Sequence, residues 1–406
     1  MQAEYDIVIA GGGMVGASLA IALANTDLNI ALIEAVALSS EHQPSYDDRG
    51  LALSLSSQRI FDALGIWQKV EMNANPIKRV HVSDRGHFGK VRMDAASMGL
   101  EALGHVVIAR ELGAVLMAQL KQSVNVNIVC PAQVKELRQE PGQISLLVSS
   151  EESSHELSCK LLVVADGTQS GLRDQLGIKN SIIDYQQTAI VTNVTPELPH
   201  ADTAYERFTE FGPLALLPLR QNRCAVVFTV PTEQAEHYLH KENIRFLEDI
   251  QSRFGRRLGR LSKAGMRRSY PITQMQAERQ HVGRAVLLGN SAHTIHPNGA
   301  QGFNLCLRDV AGLAEHVIRG QRKGMDPGSK LLLDDYLLSR QDDQMRVGRL
   351  SHNMTEWFYN TKITKSLARN TAMTLLDLFP SAKANLMRRG MGVSGKQPAL
   401  VRSSEI

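Results

Sequence analysis

The stretch that decides the fold is Tyr5-Asp6-Ile7-Val8-Ile9-Ala10-Gly11-Gly12-Gly13-Met14-Val15-Gly16. Its first six residues read as a short buried strand. The glycines follow without a spacer, and an alanine- and leucine-rich helix is expected from Ala17 to Ala24. A second apolar run, Ile30 to Ile33, ends at Glu34. Strand, glycine turn, helix, strand and acid stand in the order that an adenine dinucleotide site requires. Gly11 permits the tight turn, Gly13 lets backbone amides approach a pyrophosphate, and Gly16 lets the helix lie against the strand. The helix start then faces the anion. Glu34, about 20 residues beyond the motif, is placed to accept ribose hydroxyls, and its charge disfavours a 2′-phosphate. NAD and FAD satisfy this stretch equally.

The chain of 406 residues is long enough for two or three domains with their own cores. Its 43% hydrophobic and 21% charged residues are ordinary for a globular protein. Against 41 acidic residues stand 45 basic ones, a net +4 that is too small to argue for nucleic acid. Cys130, Cys159, Cys224 and Cys306 are scattered without a CxxC pair, so a reducing compartment is expected, with neither a disulfide frame nor a zinc site. No other metal-ligand spacing is present. Met1 to Asp6 has no basic region followed by an apolar stretch, and no apolar run approaches the length of a bilayer. The expectation is a cytoplasmic protein whose membrane contact is at most peripheral.

Beyond Glu34, residues 39 to 50 are polar and turn-rich, and Ser56 to Lys69 resumes a helical period with Ile60, Phe61, Leu64 and Trp67 at core spacing. Val80 to Met93 alternates like a hairpin, and Arg110 to Lys121 reads as a helix. Val124–Val129, Gln133–Arg138, Ile144–Val148 and Glu156–Cys159 read as a meander of short strands. A separate buried strand, Leu161 to Val164, then delivers Asp166-Gly167, with Ser170 and Arg173 further on. Strand ends at the carboxyl side of a parallel sheet are where ligands sit.

Residues 181 to 270 have an antiparallel texture, with a helix expected from Glu233 to Phe254. Phe208, Phe211, Pro213, Leu214 and Leu216 supply a sheet core or one wall of an apolar pocket. Arg253, Arg256, Arg257, Arg260, Lys263, Arg267 and Arg268 form the densest positive stretch, read first as a solvated helix face. Phosphates of an electron donor and an anionic membrane are the alternatives. Arg284 to Leu288 is a buried strand that opens into a second glycine-rich turn, Gly289 to Asn304. The helix start that follows can hold negative charge.

Three segments, the opening fingerprint with Glu34, Asp166-Gly167 with Ser170 and Arg173, and Gly289 to Asn304, resemble the three motifs of class A flavoprotein aromatic hydroxylases, in the family's order. His296-Pro297 with Gln301-Gly302-Phe303-Asn304, Val80 to His87, and Phe211-Gly212-Pro213-Leu214-Ala215 are similar to the ubiquinone-biosynthesis branch. The resemblance implies an α/β fold: a Rossmann-like FAD-binding domain of parallel sheet plus β-meander, an inserted antiparallel-sheet substrate domain and a C-terminal helical tail. The FAD-binding domain is expected at residues 1–75, 99–180 and 271–345, the substrate domain at 76–98 and 181–270, and the tail at 346–406. Gly11, Gly13, Gly16 and Glu34 would hold the adenosine half of FAD, with Arg49 and Arg110 beside the flavin. Asp166 matches the aspartate of the shared FAD and NAD(P)H motif. Asn290 matches the ribityl contact, and Gly302, Phe303 and Asn304 match the helix start beneath the isoalloxazine. The family usually has aspartate at the Asn290 position and glycine at the Ala300 position. Asparagine keeps an acceptor oxygen there but loses a charge.

The chemistry implied is reduction of FAD by NAD(P)H, addition of O2 at flavin C4a to give a hydroperoxide, and oxygen transfer to an electron-rich, polyprenylated phenol. His296 and Pro297 lie in the right loop and Tyr270 is expected at the pocket, so these three are the candidate catalytic residues. Two other readings use the same fold: a flavin reductase or dehydrogenase that needs no oxygen, and an accessory subunit of a quinone-synthesis complex, motivated by Asn290 and Ala300. The tail from Ser351 to Arg389 mixes Leu375, Leu378, Phe379 and Leu386 with Lys365, Arg369, Lys383 and Arg388. It reads either as a helix packed on the FAD domain or as a surface for anionic lipid or for other ubiquinone-biosynthesis proteins.

Overall fold

The structure, a computed structural model, describes residues 4–37, 47–151, 153–359 and 363–402. The turn-rich reading of residues 39 to 46 lies outside them. Tyr5–Ala10 is the middle strand of a parallel sheet, between Ile30–Ile33 and Ser154–Val164. Val126–Val129 and Ala285–Leu287 extend the sheet on either side. Ile7 and Ile9 enter a core shared with the helices Met14–Ala22, Ala109–Leu120 and Gln301–Arg322, while Val8 and Ala10 enter a second core shared with the meander. Burial on both faces is why these strands read as continuous apolar runs. Each large side chain so buried contributes about 1.5–3 kcal/mol.

The strands expected at Glu156–Cys159 and Leu161–Val164 are one, Ser154–Val164. Its first half pairs antiparallel with Gln143–Ser149 and its second half pairs parallel with Tyr5–Ala10. Lys160, between the two expected segments, is accommodated by an ion pair with Asp6 at 2.7 Å. The helix expected from Ser56 to Lys69 is two helices, Leu55–Ala63 and Trp67–Glu71, separated where Gly65 takes φ +70.

A second, largely antiparallel sheet of nine strands is built around Asn180–Pro196. The hairpin Arg79–Asp84 and Lys90–Asp94 joins it through a parallel pairing with Thr203–Thr209. One face packs Ile190, Leu214, Leu216, Val226 and Phe228 against two helices, Ala235–His240 and Asn243–Phe254. A single helix was expected there, but Lys241 is extended (φ −60, ψ 141) and its ammonium pairs with Asp249 at 2.6 Å. The opposite face packs Ala204, Leu217 and Ala225 against Ile77, Val106 and Ile108. Gly50 allows that approach, because a Cβ there would lie 2.5 Å from the Cβ of Ala225.

The dense basic stretch is solvated at Arg256, Arg257, Arg260, Lys263 and Arg268, but these lie beyond the end of the helix Asn243–Phe254, and its other two members are packed on aromatic rings. Arg253 is buried under the rings of Phe211 and Phe228, with centroids 4.5 and 4.4 Å away, and Arg267 lies 4.7 Å over Phe246. Four expected domain borders fall inside elements: 75/76 within the strand Asn75–Ile77, 180/181 within Asn180–Pro196, 270/271 within Arg268–Ala277, and 345/346 within the helix Lys330–Tyr359. The helix Ile363–Leu378 packs on the Arg79–Asp94 hairpin and not on the parallel-sheet layer. Arg369 and Asn370 both bond the buried Asp84 at 2.9 Å, and Arg92 pairs with Asp377 at 2.9 Å. No helix among the described residues is long and apolar enough to cross a membrane.

Candidate active site

The first glycine turn is shaped by the protein itself. A Cβ on Gly11 would lie 2.4 Å from the Ala165 carbonyl oxygen, and one on Gly16 would lie 1.9 Å from that of Gly11. Gly13 is the extended N-cap of Met14–Ala22, so the helix begins three residues before the expected Ala17 and its first amides open at the turn. Glu34, 8% exposed, accepts the Gly12 N–H on Oε2 at 2.6 Å and the Val36 N–H on Oε1 at 2.8 Å. A carboxylate has about four acceptor positions, so two are left for ribose hydroxyls.

The second and third turns are tied to each other. Asp166 leaves the end of Ser154–Val164, where burial pushes its carboxyl up and the Leu172 N–H, at 3.4 Å, opposes that. Ser170 caps the next turn by accepting the Arg173 N–H at 3.0 Å. The buried Arg173 guanidinium donates to the carbonyls of Thr168 at 3.0 Å and Ser291 at 3.2 Å. Asn290 is exposed in the turn Gly289–Ser291, and its side-chain oxygen accepts the Cys306 thiol at 3.7 Å.

His296 is fully buried. Its Nδ1 accepts the Asn298 N–H at 3.3 Å, its carbonyl accepts the Ser351 hydroxyl at 3.0 Å, and its ring packs edge-to-face on Tyr185 at 4.9 Å. Burial pushes the imidazole down to about 4, so it is neutral at physiological pH. It fixes the turn through Nδ1, while its Nε2 is buried without a hydrogen-bond partner among the described residues. Pro297 and Gly299 are the exposed members of the loop, and the Pro297 carbonyl accepts the Ala300 N–H at 3.0 Å. Ala300 is left-handed (φ 52, ψ 39), which explains why glycine suits that position.

Asn304 is not free to bind a cofactor through its side chain. Its oxygen accepts the Ser54 N–H at 2.8 Å and the Ser57 hydroxyl at 2.6 Å, and its amide donates to the carbonyls of Ala52 at 2.8 Å and Ala300 at 2.7 Å. It holds the loop and the helix Gln301–Arg322 against the strand Gly50–Ser54. Beneath it the same helix is anchored by a buried ionic chain that no spacing rule suggested. His293 and Arg340 meet Asp309 at 2.6 and 2.7 Å, and Arg340 and Arg308 meet Asp343 at 2.6 and 2.7 Å. The one signal was Arg308-Asp309 on a helix face otherwise apolar.

Tyr270, Arg49 and Arg110 stand together at a cleft of about 370 Å³, with Asp48, Lys263 and Arg268. Tyr270 donates its hydroxyl to Asp47, Arg49 lies 5.2 Å over its ring, and Arg110 pairs with Asp48 at 2.5 Å. Burial and then Asp47 push the Tyr270 phenol up to about 12, so it serves as a hydrogen-bond donor and not as a base.

A profile of the family described as FAD binding domain matches residues 4–350. The chain belongs to this FAD-binding family. Ubiquinone hydroxylase UbiL of Rhodospirillum rubrum is 31% identical over 405 residues, covering 98% of this chain and 92% of its own length. The 3-demethoxyubiquinol 3-hydroxylase of Escherichia coli is 27% identical over 388 residues, covering 95% of this chain and 96% of its own. Among solved structures, p-nitrophenol 4-monooxygenase of Pseudomonas putida superposes with a TM-score of 0.84 over 98% of this chain and all of that one; at 18% identity this speaks to the fold alone. The protein is a flavoprotein monooxygenase with FAD as its cofactor.

The FAD-binding family's cofactor fits these residues. Beyond the first glycine turn there are glycines that nothing in the protein crowds: no atom lies within 4 Å of a Cβ at Gly167 or Gly299, and at Gly302 only Ile295 Cγ1 does, at 3.8 Å. Each of these positions has open space beside its backbone, room that a bound ring can occupy. Phe303 is partly buried against the first core and holds the FAD-side helix in place.

Proposed function

We propose that this protein is an FAD-dependent monooxygenase that hydroxylates a polyprenylated phenol in ubiquinone biosynthesis, with NAD(P)H and O2 as co-substrates. Within that class, 2-octaprenyl-6-methoxyphenol is the substrate the sequence motifs favour. The observation that carries the reading is the apolar face of the second sheet, turned toward the Pro297–Ala300 loop of the FAD site. Val82, Ala215, Val227 and Val191 line it as neighbours on adjacent strands, and all are partly exposed. An aromatic ring with an apolar tail suits such a floor.

In this reading the amides after Gly13 and the Glu34 carboxylate hold the adenosine diphosphate, and Gly11 and Gly16 shape their approach. Asp166 and Asn290 serve the linker between the two halves, and Gly302, Phe303 and Asn304 support the ring. Arg49 and Arg110 make the cleft mouth cationic, which suits phosphates of the electron donor. Bound FAD supplies electron transfer from NAD(P)H and activation of O2. The chain orients the phenol on the apolar floor, and His296 stays neutral and keeps the loop in shape. The buried faces around the slot exclude water from the reacting ring. Incorporation of isotopically labelled oxygen from O2 into a prenylated phenol tests this. Turnover without label in the product favours a reductase instead.

Contact with a membrane, at the cytoplasmic face, is part of the proposal because the substrate class is membrane-resident. Leu375, Leu378 and Phe379 are 48%, 68% and 57% exposed at the end of Ile363–Leu378, near the exposed Arg388 and Arg389. Substituting Leu378 and Phe379 by glutamate is expected to abolish co-sedimentation with anionic vesicles. Unchanged co-sedimentation removes this surface from the account.

A further inference from the structure

The apolar floor carries one carboxylate. Glu206 lies in the strand Thr203–Thr209, paired with Val82 on one side and Ala215 on the other. It belongs to the partly exposed row that continues through Val227 and Val191, whereas Ala204 and Phe208, its neighbours on the same face, are buried. From this row Glu206 crosses the slot, and its Oε1 accepts the Gly299 N–H of the loop at 3.2 Å. Among the described residues no protein group is bonded to Oε2.

We infer that Glu206 is the proton acceptor for the ring hydroxyl of the substrate, an inference that rests on the phenol-hydroxylase reading above. The phenol O–H bond breaks, the proton forms a new O–H bond on Glu206 Oε2, and the electron pair stays on the ring oxygen. The ring becomes more electron-rich, as oxygen transfer to it requires. After product leaves, the carboxyl returns the proton to water. Tyr270 is committed to Asp47 and His296 is buried behind the loop, so neither competes for this role.

Burial pushes the Glu206 carboxyl up to about 7, and the Gly299 N–H pulls part of the way back. An acid in that range is ionised enough to accept a proton at physiological pH and basic enough to hold it. The charged groups around it are committed elsewhere. Asp84, at the next inward position of the neighbouring strand, is held by Arg369 and Asn370. Arg268 and Tyr270 face the far end of the slot, four strands away. From the loop side, His296 is neutral and packed on Tyr185. The helix Lys330–Tyr359 contributes Phe358, stacked on Phe208 at 3.5 Å.

The test is equilibrium binding of 2-geranylphenol and of geranylbenzene, which lacks the hydroxyl, to the FAD-loaded enzyme and to its E206Q and E206D variants. Glutamine keeps an oxygen for the Gly299 N–H and removes the base. Wild type is expected to bind 2-geranylphenol about tenfold more tightly well above pH 7 than well below it. E206Q loses that pH dependence, E206D keeps part of it, and geranylbenzene binds all three alike at every pH. In turnover, E206Q is expected to lower kcat about 100-fold or more and to remove the acid limb near pH 7. FAD content and its reduction without phenol stay as in wild type. Equal binding of 2-geranylphenol by wild type and E206Q with the same pH dependence overturns the inference, as does failure of wild type to bind it. Binding that follows the expected pattern without oxygen-dependent turnover upholds Glu206 as the hydroxyl acceptor and overturns the hydroxylase reading instead.

Discussion

Replacing Asn304 by aspartate changes one atom of a side chain whose four hydrogen-bonding positions are all used. The bonds from Ser54 N–H and Ser57 Oγ survive, because oxygen remains where oxygen was. The other two reverse: where the amide donated to the carbonyls of Ala52 at 2.8 Å and Ala300 at 2.7 Å, a carboxylate oxygen faces them. Losing two buried bonds at about 1 kcal/mol each gives a floor of about 2 kcal/mol, to which the contact between oxygens adds. With an unfolding entropy of about 2.1 cal/mol/K per residue, 2 kcal/mol lowers Tm by about 2 °C if the whole chain unfolds together, and by about 5 °C if half of it does. The loss depends on pH in a definite direction. The protonated carboxyl can donate to one carbonyl, so folding raises its pKa above the unfolded value of about 3.9. The gap to wild type is therefore small below that value and widens as pH rises through the folded one. Thermal unfolding followed by circular dichroism at mildly acid and mildly basic pH measures it, with FAD retention read in parallel. A variant as stable as wild type at basic pH refutes the assignment of Asn304 as the tie between loop and strand.

Ala300→Gly is expected to raise stability by up to about 1 kcal/mol, because a left-handed alanine is strained, and to leave FAD binding equal or tighter; a loss of stability contradicts that geometry. Burial alone would push the Asp343 carboxyl up, but Arg308 and Arg340 outweigh it and hold it well below the usual carboxylate range. Its stabilising contribution is thus complete above the unfolded value and is lost as pH falls through the folded one. Asp343→Asn leaves the buried Arg308 without a carboxylate and Arg340 with Asp309 alone, and is expected to cost about 3–5 kcal/mol at neutral pH, with less of the wild type's fall in stability on acidification, as read by denaturant unfolding at several pH values. Glu34→Gln keeps one acceptor oxygen of two and is expected to weaken FAD about tenfold in a fluorescence titration.

The parallel sheet was legible because its strands are buried on both faces: Ile7, Val8 and Ile9 need no partner to be read as interior. The turn at Gly289 to Asn304 was legible for a related reason, a buried strand meeting glycines and then a helix. What escaped depends on contacts between distant segments. Alternation along Thr203–Thr209 puts Ala204, Glu206 and Phe208 on one face, but only the pairing with Arg79–Asp84 and the reach of Gly299 make that face a site. Arg253 read as surface charge because its aromatic neighbours come from elsewhere in the chain, Phe211 from a turn and Phe228 from the strand Arg223–Pro231. Asn304 matched a cofactor motif, yet its partners are Ala52, Ser54 and Ser57, brought to it by the strand Gly50–Ser54. His296 looked reactive in the sequence and is a packed, neutral ring in the fold.

The most direct measurement is the anaerobic reaction of the purified, FAD-loaded protein with NAD(P)H, with and without 2-geranylphenol, followed by admission of O2. The account predicts a yellow protein whose flavin bleaches faster when the phenol is present, and whose reoxidation yields one hydroxylated phenol per flavin turned over. A protein that cannot take up FAD, or one that reoxidises with the phenol unchanged, contradicts it.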